Sequence, residues 1–259
     1  PYGAEGSGSL STLLSENQTN LDNVIGNSNY DIGHVFDSSG GSSGAGLATL
    51  TSVCNTSNKA RGASRGFANP TGDSFDVDLV AHEIGHQFGA NHTFNSVTSS
   101  CSGNRNASTA YEPGSGTTIM SYTSCGADNI QSFNDDYFHV ASYEEIMAYI
   151  TGAGVSSCPT ITATGNNVPV PNANPGGGSY TIPISTPFEL EGSATDADGD
   201  NLTYCWEEYD LGPAGSPSSA SAPYFRSYPP SSSSTRIFPT LSAILDGTNA
   251  ATGENLPTN

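Results

Sequence analysis

The chain has 259 residues, enough for one large domain or two small ones, and its 25 acidic against 6 basic side chains leave a formal charge of −19. So negative a balance excludes charge-driven binding to nucleic acid or to an anionic membrane, and no apolar run approaches the length of a membrane span. Gly, Ser, Thr and Asn abound, Lys59 is the only lysine, and no signal-peptide pattern follows Pro1, which reads as a soluble extracellular protein in mature or processed form.

Leu13, Leu14, Leu21, Val24 and Ile25 predict a short helix over 12–25 that stops at Gly26. Tyr30 to Phe36 alternates like a strand, a Gly/Ser-rich loop spans 38–46, and Leu47 to Val53 predicts a second strand. Lys59, Arg61 and Arg65, the one basic cluster, read as a solvated loop, and His34 as a strand histidine with a structural role. Asp73 or Ser74 can cap the next helix, with Asp76 and Asp78 in the first turn, where the helix dipole favours negative charge. Val77, Val80, Ile84 and Phe88 recur at helical spacing and give that helix an apolar face to bury, which leaves its other side to front a cleft.

That other side carries the most informative run in the chain, HEIGHQFGANH at residues 82–92. His82 and His86 are four apart, so their imidazoles project from one face of a helix, one turn above the other. Glu83 sits one step off that line. Gly89 lets the chain leave the helix through a left-handed turn, and His92 then returns as a third nitrogen donor. Three neutral imidazoles with one position left open are the donor set of a catalytic zinc rather than of a closed structural one. The short form of the motif arises by chance fairly often, whereas the long form with the glycine and third histidine very rarely does.

Downstream lies Thr118-Ile119-Met120-Ser121-Tyr122. With this second run, the chain resembles the metzincin clan of zinc endopeptidases over roughly residues 10–158. Thr93 follows His92, in place of the Asp of adamalysins, the Glu of astacins or the Pro of serralysins, so the resemblance is to a bacterial reprolysin-like, adamalysin-related branch. It implies an α+β fold, with an α/β/α catalytic domain at 1–158 that contains the active-site helix and a methionine turn. It also implies that His82, His86 and His92 hold Zn2+, that Glu83 is the general base acting on water, and that Met120 forms a soft floor under the imidazoles. Tyr122 matches the position from which astacin-like and serralysin-like enzymes bring a hydroxyl to the metal and the oxyanion. In such enzymes a protein or peptide substrate adds as an antiparallel strand to the rim of the cleft. Adamalysin-like domains also tie a segment upstream of the zinc motif to the domain's end, which on this chain would join Cys54 to Cys158. Cys101 and Cys125 bracket the loop between His92 and the methionine turn and would pin it if bridged; four cysteines allow three pairings, and Cys205 is left over.

Asn91-His92-Thr93 is an N-glycosylation sequon inside the zinc motif, with others at Asn17, Asn55, Asn106 and Asn201. A glycan on Asn91 would crowd the metal, which suggests a secreted bacterial protein that never meets the eukaryotic machinery. Ser142-Tyr143-Glu144-Glu145 reads as a capping box that starts a helix over 143–150, just after the structural histidine His139.

After Cys158 the composition shifts. Residues 159–180, rich in Pro, Asn and Gly, read as a linker or extended arm. Residues 181–259 contain strand-like runs at 188–191, 202–207 and 236–238 and resemble the cadherin-like or immunoglobulin-like repeats of secreted bacterial proteins. Too few strands follow to close a β-sandwich, so an incomplete sandwich is expected, together with trimming from a longer precursor whose other fragments could remain as partners. Asp196, Asp198 and Asp200 form either a Ca2+-stiffened turn of the cadherin kind or a plain acidic hairpin turn; the EF-hand pattern is not met, since Asn201 occupies the glycine position and 202–207 alternates like a strand. The leading expectation is a zinc endopeptidase. Its rivals are an adhesion or matrix-binding protein with a vestigial protease domain, against which intact Glu83 argues, and a protease that mainly processes itself.

Overall fold

A computed structural model describes residues 9–38, 44–66, 71–152, 155 and 158–258. The chain forms two compact units that are not contiguous in sequence. One comprises Pro1–Thr93, Thr118–Tyr122 and Ser132–Thr160, the other Phe94–Thr117, Thr123–Gln131 and Ile161–Asn259.

In the first unit, helix α1 (Leu10–Val24) starts on Ser9, whose hydroxyl accepts the Thr12 N–H at 3.2 Å, and it stops before Gly26, which has φ 89°. Leu13 and Leu14 of α1 pack on Ala63, with Leu10 and Val35 at the margin. Three short strands follow, β1 (Val35–Asp37), β2 (Ala45–Ala48) and β3 (Gly62–Arg65), in the spatial order β1-β3-β2. β3 runs parallel to β1 and antiparallel to β2, so β2 lies at the sheet edge. The second strand therefore precedes the expected 47–53 and ends before the turn at Leu50 and Thr51.

β3 falls where sequence predicted a solvated basic loop. Its small residues Gly62, Ala63 and Ser64 admit close neighbours on both faces: Ala63 meets α1, and a Cβ on Gly62 would lie 2.2 Å from the Gln87 side chain. The cations are individually paired, which is why they do not need solvent. Lys59 is buried, lies 4.5 Å from the Tyr30 ring centroid and donates to the Asn27 carbonyl, while Arg65 meets Asp37 at 2.7 Å.

The motif helix is less regular than expected. It runs through α2 (Asp73–Phe75), a π-helical stretch Asp76–Ala81 and α3 (His82–Gln87). Gly72 is the cap, in place of Asp73 or Ser74, and its N–H donates to the Asp76 carboxylate at 3.0 Å. The buried set is Phe75, Leu79, His82, Glu83, Gly85 and Gln87, whereas Val77, Val80, Ile84 and Phe88 are only half-buried. The wider π turns displace the pattern that a uniform period of 3.6 residues predicts, so the face bearing the motif is turned inward. Helix α4 (Val140–Thr151) begins earlier than the capping box implied: His139 is its cap, with Nδ1 accepting the Ala141 N–H at 3.1 Å. Cys54 is bonded to Cys158, with Cα atoms 5.7 Å apart.

In the second unit Cys101 is bonded to Cys125, Cα atoms 5.2 Å apart, and Tyr111 stacks on Tyr209 at 4.2 Å. The strands pair as β4 (Val170–Asn172) with β6 (Ser193–Thr195), β5 (Phe188–Glu191) with β7 (Thr235–Phe238), and β8 (Ala250–Ala251) with β9 (Glu254–Asn255), all antiparallel. A short α5 (Leu241–Leu245) follows β7. Phe225, Phe238 and Leu256 form the core against Phe188, Leu190, Trp206 and Tyr224, and buried Glu254 takes Arg236 at 2.7 Å. Among the described residues these are three separate two-stranded sheets rather than two packed sheets, so the sandwich expected for 181–259 is not seen. Residues 202–207 alternate in burial as a strand does but contribute a single bridge, Tyr204 to Ser231, and β4 lies inside the stretch expected to be a linker. Gly, Pro and Ser between 212 and 234 favour turns over a continuous ladder. No helix among the described residues is long and apolar enough to cross a membrane.

Candidate active site

His82 and His86 stand on α3 with each Nδ1 facing a backbone carbonyl, Ile119 O for His82 and Ala90 O for His86, both at 2.7 Å. A carbonyl can only accept, so these bonds place the proton on Nδ1 and leave the Nε2 lone pair free. His92 brings its own Nε2 to 3.2 Å from that of His82 and 3.1 Å from that of His86. Two nitrogens on one tetrahedral zinc, each at about 2.0–2.1 Å from the metal, lie about 3.3 Å apart. The three rings thus present a donor set and spacing that fit the ion. Burial holds His82 well below the usual imidazole range, helped by the neighbouring His86 and His92, and burial also lowers His86, so these two rings stay neutral, as ligands must.

The reversal that delivers His92 is built on Gly89, at φ 102°, where an added Cβ would lie 3.2 Å from Thr51 and 3.4 Å from Tyr149. Beyond the third histidine, Thr93 is tied to the methionine turn: its N–H donates to Met120 O at 3.2 Å, and its hydroxyl lies 3.0 Å from that of Ser121. Met120 is wholly buried with Ala90 and Ile119, flanked by Phe138 and Ile146. Gly85, between the two helical histidines and next to His86, makes room for it, since a Cβ there would lie 2.5 Å from the sulfur.

Glu83 is buried, with its carboxyl against β2: a Cβ on Gly46 would lie 2.1 Å from Oε1. Burial pushes its pKa up to about 8. The Tyr122 ring centroid lies 4.8 Å from that of His92 and 5.5 Å from that of His82. Its hydroxyl is pushed up to about 12, mainly by burial and secondarily by the charge of Glu83. All six side chains singled out around the metal motif, Glu83, Tyr122, Met120 and the three histidines, lie in one compact unit.

Sequence reasoning passed over Gln87, which is wholly buried. Its amide donates to Gly33 O at 3.1 Å and the Ser52 hydroxyl at 3.3 Å, and its oxygen faces His34 Nδ1 at 2.9 Å, while His34 Nε2 meets the Ser64 hydroxyl at 2.9 Å. His34 is thus a structural partner of the motif helix. No local spacing marked it, because its partners come from residues 33, 34 and 52. Asp196, Asp198 and Asp200 belong to the second unit, whereas the three histidines belong to the first. Their carboxylates come within reach of one another, and the turn is held by its own chain: Asp196 Oδ1 accepts the N–H groups of Asp198 and Asp200 at 2.8 and 3.2 Å, and Asp198 accepts the Asn167 side chain at 2.8 Å.

The model of the reprolysin-like metallopeptidase family M12B matches residues 4–150, more than half of the chain. The chain belongs to the reprolysin-like M12B family. No curated protein gives a significant match. As a reprolysin-like metallopeptidase of a zinc-dependent family, it acts on protein or peptide substrates. The three histidines that could hold a metal all fall within the matched residues, and residues 151–259 lie outside them.

Proposed function

We propose that this chain is a secreted zinc endopeptidase in which His82, His86 and His92 hold the metal and Glu83 is the general base. The observation that carries this reading is the convergence of the His82 and His86 Nε2 atoms on that of His92, at 3.2 and 3.1 Å, with the Glu83 carboxyl between α3 and the edge strand. Zinc bound there supplies a Lewis acid that makes water a nucleophile near neutral pH. Glu83 takes the proton of the attacking water and returns it to the leaving amine, and its position against Gly46 places it beside the strand edge along which a peptide can lie. Tyr122 donates its hydroxyl proton in a hydrogen bond to the substrate oxyanion, a role for which a hydroxyl pKa raised to about 12 keeps the proton in place. Two disulfides and the acidic composition support an oxidising, extracellular setting, and the sequon at Asn91 supports a bacterial one.

Metal analysis combined with one variant tests the reading. Purified protein should carry one zinc per chain, and Glu83→Ala should keep that zinc while peptide turnover falls by about 100-fold or more. A wild-type protein without stoichiometric zinc, or a variant of near-normal turnover, would refute it.

A further inference from the structure

We infer that Glu145, on α4, is a positioning residue for the third metal ligand; this rests on the assignment of His92 as a ligand. His82 and His86 are fixed by a helix and by carbonyl partners, but His92 sits on the irregular segment that follows Gly89. A donor on a loop has more conformational freedom to lose on coordination, so whatever restrains the loop beforehand strengthens binding. Thr93 restrains one side of His92 through the methionine turn. On the other side one carboxylate grips Asn91 twice: the Asn91 main-chain N–H donates to Glu145 Oε2 at 2.8 Å, and its side-chain Nδ2 donates to Oε1 at 2.6 Å. Two parallel charge-assisted hydrogen bonds fix orientation as well as distance.

One turn further along α4, Tyr149 repeats the restraint. Its Cβ would be 3.4 Å from a Cβ on Gly89, and its hydroxyl donates to the carbonyls of Thr51 and Val53 at 2.8 and 2.6 Å. Glu145 and Tyr149 are spaced i and i+4, so one face of α4 holds the reversal at its beginning and near its end. The same pairing occupies the Asn91 amide, the atom to which a glycan would attach at that sequon. The helix thereby acts on the metal through Asn91 and touches neither metal nor substrate.

The test uses the full chain, loaded with zinc and titrated against a chromophoric chelator, with the absorption spectrum of the cobalt-substituted protein as a second readout. Glu145→Ala should weaken zinc binding by about 10- to 100-fold, the usual effect of losing a group that orients a ligand, and should alter the cobalt spectrum. Asn91→Ala, a milder change on the loop, should move affinity in the same direction if the first variant folds poorly. In the double variant Glu145→Gln/Asn91→Asp, the new amide donates to the new carboxylate and its carbonyl still accepts the residue-91 N–H. That reversal should restore affinity to within about threefold of wild type, which a merely structural loss in α4 would not do. Wild-type protein that holds zinc, with single variants of unchanged affinity or a double variant no better than the worse single one, overturns the positioning role alone. Wild-type protein that holds no zinc overturns the ligand assignment, and the positioning role with it.

Discussion

Glu83 and Tyr122 both approach the histidines, yet their surroundings fit them for different work. The carboxyl of Glu83 lies buried against β2 and can only accept once ionised, whereas Tyr122 is a hydroxyl that burial keeps protonated. On the proposed reading, one site thereby contains both a proton acceptor and a hydrogen-bond donor. Tyr122→Phe should leave zinc content unchanged and lower kcat by about 10- to 1000-fold, the range for removing one oxyanion donor, with little change in KM. Steady-state kinetics on a peptide substrate checks this, and a change confined to KM would make the hydroxyl a binding group. The convergence of His82, His86 and His92 was legible in the sequence because eleven residues contain the whole motif. Gln87 was not, since its partners come from residues 33, 34 and 52, which only folding brings to α3.

At the level of elements, β2 and α3 meet where Gly46 faces Glu83, and only a residue without a side chain fits that contact. Gly46→Ala should displace the carboxylate and lower turnover by about tenfold or more while zinc content stays near one per chain, because none of the three proposed ligands is the group that meets Gly46; the cost of a misplaced catalytic group sets the scale. Parallel metal and activity measurements distinguish this from collapse of the site, in which zinc would be lost too. The sequence pointed to a strand near here but placed it two residues late, since alternation in an Ala/Gly-rich run is weak. It also made the motif helix uniform, and the π stretch Asp76–Ala81 overturned the apolar face derived from that regularity. In the other unit, Glu208 accepts the N–H groups of Tyr224 and Phe225 at 2.7 Å, yet burial pushes its pKa up to about 7. A folded carboxyl pKa above the unfolded value means that ionisation opposes folding, so stability is lost as pH rises from about 4.5 to about 7. Glu208→Gln keeps an acceptor oxygen and removes the charge. It should match wild type near pH 4 and melt several degrees higher above pH 7, as a thermal unfolding series across that range would show, with roughly 2–4 °C expected per kcal/mol at this size. A constant offset at every pH would place the cause elsewhere.

For the molecule as a whole, the features that sequence captured were those set by local spacing, and those it missed depend on the path of the chain. Residues 94–117 and 123–131 interrupt the motif region yet belong to the compact unit of the C-terminal residues, a grouping that no periodicity reveals. Within that unit the pairing of Phe188–Glu191 with Thr235–Phe238 falls on two of the strand-like runs in the sequence, whereas 202–207 has the alternation of a strand without the ladder. Charge, in contrast, is a property of the entire chain and could be read directly. With 25 acids and 6 bases, most carboxylates have no cation to offset them, and folding concentrates like charge that the unfolded chain spreads out. Added salt should relieve that penalty, because the screening length falls from about 30 Å at about 0.01 M to about 8 Å at about 0.15 M. The zinc-loaded protein at pH 7 should therefore unfold several degrees higher in about 0.3 M than in about 0.01 M sodium chloride, since a relief of one or two kcal/mol is worth roughly 2–4 °C each. Buried pairs such as Arg236 and Glu254 are shielded less and should not reverse the trend. Near pH 4, where many carboxylates take up protons, the same salt step should have a smaller effect, which separates charge screening from a general action of salt on apolar burial. Calorimetry at the two salt concentrations and two pH values decides it: a melting temperature that is flat or falls with salt at pH 7 would mean that local hydrogen bonding has already neutralised the surplus charge.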